Sequence, residues 1–121
     1  MPPAPIVRVL IVEDDALLGL DLADALREAG FDVLGPFATV DAAMQSIGMS
    51  QPDIAILDID LRGRMSFPVA DALATANVPF MWLSASSASI LPTNHQLRPF
   101  VSKPFDGAKV LCVLEDLLKT S

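Results

Sequence analysis

The run Ile6-Val7-Arg8-Val9-Leu10-Ile11-Val12 is apolar at every position but one, and it ends in three acids, Glu13-Asp14-Asp15. A strand with one wet face would alternate apolar and polar residues. This run does not alternate, so it predicts a strand buried on both faces, the condition of a central strand in a parallel sheet. The same signature recurs downstream, where Ile54-Ala55-Ile56-Leu57 ends in Asp58-Ile59-Asp60. Carboxylates crowded at the mouth of a buried strand repel one another and lose hydration, which is unfavourable unless a cation neutralises them. A metal-dependent site is therefore the first expectation.

Between and beyond these runs, strand and helix patterns alternate. The first strand is expected over 6–12 and a helix over 15–29, with Leu18, Leu22, Ala25, Leu26 and Ala29 on one stripe and Gly30 as the residue that ends it. A short second strand is read at Phe31–Gly35. Thr39 can cap a helix through Ile47, with Val40, Ala43 and Ile47 inward. Asp53–Leu57 is the third strand. Pro68 suits the first turn of a third helix ending near Ala76. Val78–Leu83 and Phe100–Ser102 are the fourth and fifth strands, and Asp106 caps a last helix that buries Val110, Leu114, Leu117 and Leu118. Between Ser86 and Pro99 the pattern supports at most a short, irregular helix.

Five strands alternating with helices predict an α/β fold: a doubly wound, five-stranded parallel sheet of flavodoxin-like order 2-1-3-4-5, with a shortened fourth helix. Ligands of such sheets bind at the carboxyl ends of the strands, where the order reverses. That places Glu13, Asp14 and Asp58 in one pocket. Residues 1–5 read as an irregular leader and 6–120 as one domain.

The chain has 121 residues, about half of them apolar, and a formal charge of −7. It has no Lys/Arg cluster, so neither nucleic acid nor an anionic membrane is expected as a partner. No stretch approaches the roughly 18 apolar residues of a spanning helix, and no signal-peptide pattern opens the chain. The one cysteine, Cys112, excludes an internal disulfide and fits a reducing cytoplasm. It is read as packed within the last helix.

Two further residues end strands on the same rim: Ser84 and Lys103, the latter followed by Pro104. A hydroxyl and an ammonium facing three carboxylates form a chemical unit. Mg²⁺ suits carboxylates, waters and a phosphate oxygen at about 2.0–2.1 Å. Lysine and serine can hold phosphoryl oxygens. A carboxylate nucleophile in such a site yields an aspartyl phosphate.

Val-Glu-Asp-Asp, Leu-Asp-Ile-Asp-Leu, Leu-Ser-Ala and Lys-Pro-Phe, in this order and spacing, resemble the receiver (CheY-like) domain of two-component response regulators, over essentially the whole chain. The resemblance implies that Asp58 accepts a phosphoryl group from a histidine kinase or phosphotransfer protein. It implies that Asp14 and Asp58 ligate Mg²⁺, that Glu13 acts mainly through bound water, and that Asp60 offers its backbone carbonyl. Ser84 and Lys103 would bind the phosphoryl oxygens, with Ser84 and Phe100 as the switch and a cis Lys103–Pro104 bond. No enzyme activity is implied beyond self-phosphorylation and autodephosphorylation at Asp58. The output would be contact with a downstream protein, or service as a phosphate sink, because the chain stops at the last helix.

Three departures from the family pattern stand out. Arg62-Gly63-Arg64-Met65-Ser66 replaces the usual Pro-Gly turn, the stretch from Ser84 to Lys103 is short, and Phe100 stands where Tyr is commoner. Pro79-Phe80-Met81-Trp82-Leu83-Ser84 is similar to a single-domain subgroup from alphaproteobacteria, although Ala85 stands where that subgroup has Gly. Some residues carry blander expectations. Asp15 is a cap, Asp60's side chain faces water or tunes dephosphorylation, and Arg62 and Arg64 are solvated charges or else meet an acidic partner or phosphate. His95 lies in a polar loop, and Trp82 packs in the core or at its rim. The alternative function is a haloacid-dehalogenase-type phosphohydrolase, which also uses an Asp-x-Asp nucleophile. Its acidic pair follows the lysine, whereas here it precedes it.

Overall fold

The computed structural model describes residues 5–120; most of the expected leader lies outside them. In chain order the strands are β1 (Arg8–Val12), β2 (Asp32–Phe37), β3 (Ile54–Leu57), β4 (Asp60–Leu61), β5 (Arg64–Met65), β6 (Phe80–Ser84) and β7 (Phe100–Ser102). Five of them form one sheet of order β2-β1-β3-β6-β7, every pair parallel. Counting strands within that sheet, the order is the expected 2-1-3-4-5. The helices are α1 (Ala16–Glu28), α2 (Val40–Met49), α3 (Phe67–Thr75) and α4 (Gly107–Thr120). No helix among the described residues is long and apolar enough to cross a membrane.

Strand periodicity divides the core in two. Leu10, Val12, Ala55, Leu57, Phe80 and Trp82 pack with Val40 and Ala43 of α2 and Val69, Ala70 and Leu73 of α3. Val9, Ile11, Ile54, Ile56, Met81 and Leu83 point the other way, onto Leu22, Ala23 and Leu26 of α1 and Val110 and Leu114 of α4. The uninterrupted apolar runs thus serve both layers. On α1 the buried stripe is Gly19, Leu22, Ala23 and Leu26, while Ala29 is exposed; the face is rotated from the expected one. Gly19 sits under Pro36, where an added Cβ would come within 2.9 Å of the ring, so the helix closes onto the strand at that point.

Local signals end the elements where side chains can supply missing partners. Asp15 caps α1 by accepting from Leu18 N at 3.1 Å, and Thr39 caps α2 by accepting from Ala42 N at 3.1 Å. After α1, Gly30 (φ +95°) carries the chain out through bonds from Phe31 N to Leu26 O and from Gly30 N to Arg27 O. Asn77 (φ +59°) does the same after α3.

Three stretches differ from expectation. β2 does not stop at Gly35 but continues through a cis Gly35–Pro36 bond to Phe37, with a register irregularity opposite Leu10–Val12. Proline at a sheet edge leaves the ladder intact, because its missing N–H faces away from a neighbour. The expected short fourth helix is reduced to two single 3₁₀ turns, Ala88–Ile90 and Thr93–His95. Between β3 and α3, β4 and β5 pair as an unexpected antiparallel ribbon.

Candidate functional site

The carboxyl ends of β1, β3, β6 and β7 converge on one rim. Glu13 and Asp14 follow β1, Asp58 follows β3, Ser84 closes β6 and Lys103 follows β7. Hydrogen bonds fix these chain ends. Asp58 N donates to Val12 O at 2.9 Å, Glu13 N to Phe37 O at 2.9 Å, and Lys103 N to Ser84 O at 3.0 Å. The Lys103–Pro104 bond is cis, as expected.

Carboxylate oxygens of Glu13, Asp14 and Asp58 lie within 4.8 Å of one another. Lys103 Nζ donates to Asp58 Oδ2 at 2.9 Å and forms a close ion pair with Glu13 Oε1. Asp58 Oδ1 accepts from Ile59 N at 2.7 Å, so both of its oxygens are oriented. Glu13 and Asp58 are buried, and Asp14 is partly open to solvent.

One ammonium among three carboxylates leaves the cluster short of positive charge. Burial pushes the Glu13 carboxyl up to about 7, against the lowering effect of its bonds to Lys103 and the Asp15 amide. Burial acts on Lys103 in the opposite sense, pulling it down, but its bonds to Glu13 and Asp58 outweigh that and hold it above its ordinary range. Hard oxygen donors, an excess of negative charge and one solvent-open carboxylate are a donor set suited to Mg²⁺.

Ser84 is buried on the same rim, where its Oγ accepts from Ser86 N at 3.1 Å; it makes no hydrogen bond to Asp58. Phe100 is partly buried against the core layer of α2 and α3. Asp60 Oδ1 accepts from Gly63 N at 2.7 Å, closing the turn of the ribbon.

Three residues sit differently from what their sequence context predicts, and a fourth, Ser66, carried no expectation. Ser66 Oγ donates to Asp58 O at 2.5 Å, tying the start of α3 to the Asp58 peptide. Arg62 is not merely solvated: its Nη2 donates to Asp14 O at 3.1 Å and its Nε lies 3.7 Å from Asp14 Oδ2. His95 is buried, not in an open polar loop, with Nε2 2.7 Å from Asp71 Oδ1. Cys112, expected to be packed, is exposed on α4. The Gly between two arginines is the one local signal for the ribbon and hence for Arg62; the placement of His95 depends on a contact far apart in sequence, whereas Cys112 lies off the stripe of Val110 and Leu114 that α4 buries.

Comparison with known proteins agrees with this geometry. The family model described as "Response regulator receiver domain" matches residues 9–115. The transcriptional regulatory protein PdtaR of Mycobacterium tuberculosis (strain ATCC 25618 / H37Rv) is 30% identical over 112 residues, covering 89% of this chain and 55% of PdtaR. The chain therefore spans about half the length of the curated relatives it matches. The solution structure of SdrG from Sphingomonas melonis Fr1 superposes with a TM-score of 0.82 at 34% identity, covering 96% of this chain and 99% of SdrG. The receiver domain of PhyR from Erythrobacter litoralis gives 0.83 at 27% identity, over 94% and 91% of the two chains. By a family match over residues 9–115, which takes in nearly the whole sheet, α1 to α3 and the start of α4, the chain belongs to the response regulator receiver domain family.

Proposed function

We propose that this chain is a cytoplasmic phospho-switch in which Asp58 accepts a phosphoryl group from a histidine kinase or phosphotransfer protein. The observation that carries the reading is Asp58 itself. Its carboxylate is buried, oriented on one oxygen by Ile59 N and on the other by Lys103 Nζ, with two more carboxylates within 4.8 Å. An Asp58 oxygen attacks the donor phosphorus, the phosphorus–nitrogen bond to the donor histidine breaks, and its electron pair leaves with the imidazole. Asp14, Asp58 and the Asp60 backbone carbonyl would hold Mg²⁺, with Glu13 acting mainly through water. The ion supplies positive charge to the phosphoryl oxygens during transfer. Lys103 and Ser84 take the remaining phosphoryl oxygens, and Phe100 responds to the movement of Ser84.

The domain spans residues 6–120 in this reading. It signals by contact with a downstream protein or drains phosphoryl groups from its donor, with no nucleic-acid or membrane partner. The haloacid-dehalogenase alternative has no support, since the acidic pair precedes the nucleophile and the family match is to receivers.

Acetyl phosphate with Mg²⁺ is expected to add one phosphoryl group, read by intact-mass spectrometry, and Asp58→Asn to abolish the addition. Labelling that persists in Asp58→Asn places the nucleophile elsewhere. Multiple turnover of a phosphate ester returns the phosphohydrolase.

A further inference from the structure

Arg62 occupies an unusual place for a long cationic side chain. The ribbon pairs Asp60 with Met65 and Leu61 with Arg64, leaving Arg62-Gly63 as a two-residue loop. Both loop residues have positive φ, +56° and +91°, the backbone of a type I′ turn. Asn, Asp or Gly ordinarily take the first of these positions, because a larger side chain is strained there. A non-glycine residue held in that region beside a charged site is a pointer to function.

The ribbon is braced from several directions, so its tip is held in place over the site. Asp60 Oδ1 accepts from Gly63 N at 2.7 Å. Ser66 N donates to Ile59 O at 2.8 Å, and Ser66 Oγ to Asp58 O at 2.5 Å. On the far side Arg64 Nη1 meets Asp41 Oδ1 of α2 at 3.1 Å. From this tip Arg62 turns back onto Asp14, with Nη2 3.1 Å from its carbonyl oxygen and Nε 3.7 Å from Oδ2. Positive charge is thereby divided. Lys103 serves the two buried carboxylates, Glu13 and Asp58, and Arg62 serves Asp14, the one that solvent reaches.

We propose that Arg62 is a resident counter-ion that competes with the divalent cation for Asp14 and so sets how tightly the site holds metal. The inference rests on the receiver-site reading above and adds a residue to it. Asp14 cannot give its carboxylate fully to a metal while a guanidinium screens it. Most of the Arg62 side chain is exposed, and its release from Asp14 meets no steric barrier from the core. Exposed ion pairs are weak, so the competition amounts to about a two- to fivefold loosening of metal affinity.

Isothermal titration with MgCl₂ at low ionic strength tests this on the whole chain. Arg62→Gln is expected to tighten the Mg²⁺ dissociation constant by about two- to fivefold, with the gain shrinking as NaCl is added. Arg62→Asn suits the turn better than Arg and should tighten binding equally, which guards against a ribbon disturbed by the Gln side chain. Arg64→Gln removes the same charge from the same ribbon but from a residue paired with Asp41, and it should leave the constant unchanged. The proposal is overturned if both Arg62 variants bind Mg²⁺ no more tightly than wild type. It is equally overturned if Arg64→Gln tightens binding as much, since net charge alone would then be responsible. Failure of the wild type and every variant to bind Mg²⁺ would instead bring down the metal-site reading, and this inference with it.

Discussion

Glu13 shows how a single residue couples the site to stability. In the unfolded chain its carboxyl ionises near 4.5; in the fold it holds its proton to about 7, because burial disfavours the carboxylate. Between those pH values the folded state binds more protons than the unfolded state, so rising pH favours unfolding. The stabilising contribution is fully present below 4.5 and is gone above 7. Glu13→Gln, which cannot ionise, is therefore expected to gain stability relative to wild type as pH rises through that window. A tenfold difference in proton affinity between the folded and unfolded states corresponds to about 1.4 kcal/mol. Urea melts of both proteins in metal-free buffer check this, and a stability difference that stays flat with pH would show that the carboxylate is solvated in the fold.

At the scale of elements, the segment between β6 and β7 replaces a helix with a plug. His95 is almost wholly buried and meets Phe80 and Trp82 edge-on, with ring centroids 5.6 and 6.2 Å away. Its carbonyl accepts from Trp82 Nε1 at 3.3 Å, and Arg98 lies 4.3 Å over the Phe80 ring. Two turns of 3₁₀ helix cannot bury an apolar stripe as a long helix does, and His95 together with Leu91 fills that space instead. His95→Ala should destabilise the protein by about 2–4 kcal/mol, the range of large-to-small core changes. His95→Phe should cost less, since it keeps the packing and gives up only the Nε2 contacts with Asp71 and Asn94, while Nδ1 has no partner to lose among the described residues. Thermal and urea denaturation distinguish the two; equal losses would mean that the Asp71 bond, not packing, holds the segment.

For the whole molecule, the question is how far a change at Asp58 travels. In the resting structure Ser84 Oγ accepts from Ser86 N, which holds the first residues after β6. A phosphoryl group at Asp58 would draw that hydroxyl away, because a charged acceptor makes the stronger bond. Ser86 N then loses its partner, the Ala88–Ile90 turn loosens, and Phe100 turns toward the space behind Ser84. The buried His95 should stop the change there. Hydrogen exchange on resting and beryllofluoride-bound protein is expected to differ most over residues 85–91 and at Phe100, with little change at residues 93–96. Differences confined to residues 16–48 would refute this route. The alternation of strands and helices, the order of the sheet, the caps at Asp15 and Thr39, and the rim residues Glu13, Asp14, Asp58, Ser84 and Lys103 were all legible in the chain. The elements, caps and rim residues rest on local signals, apolar runs and the polar residues that end them, and the order of the sheet follows from the rules for parallel α/β folds. Other features exist only once the chain is folded. Lys103 shares its ammonium between Glu13 and Asp58, Arg62 folds back 48 residues along the chain onto Asp14, and His95 is core. The same holds for β2 beyond Gly35, where an added Cβ would lie 2.7 Å from Ile11 O, a contact visible only once β1 lies alongside. The physical reason is common to all of these. Periodicity and capping act over a few residues, whereas the partner of a charged or buried side chain is chosen by where distant backbone comes to lie.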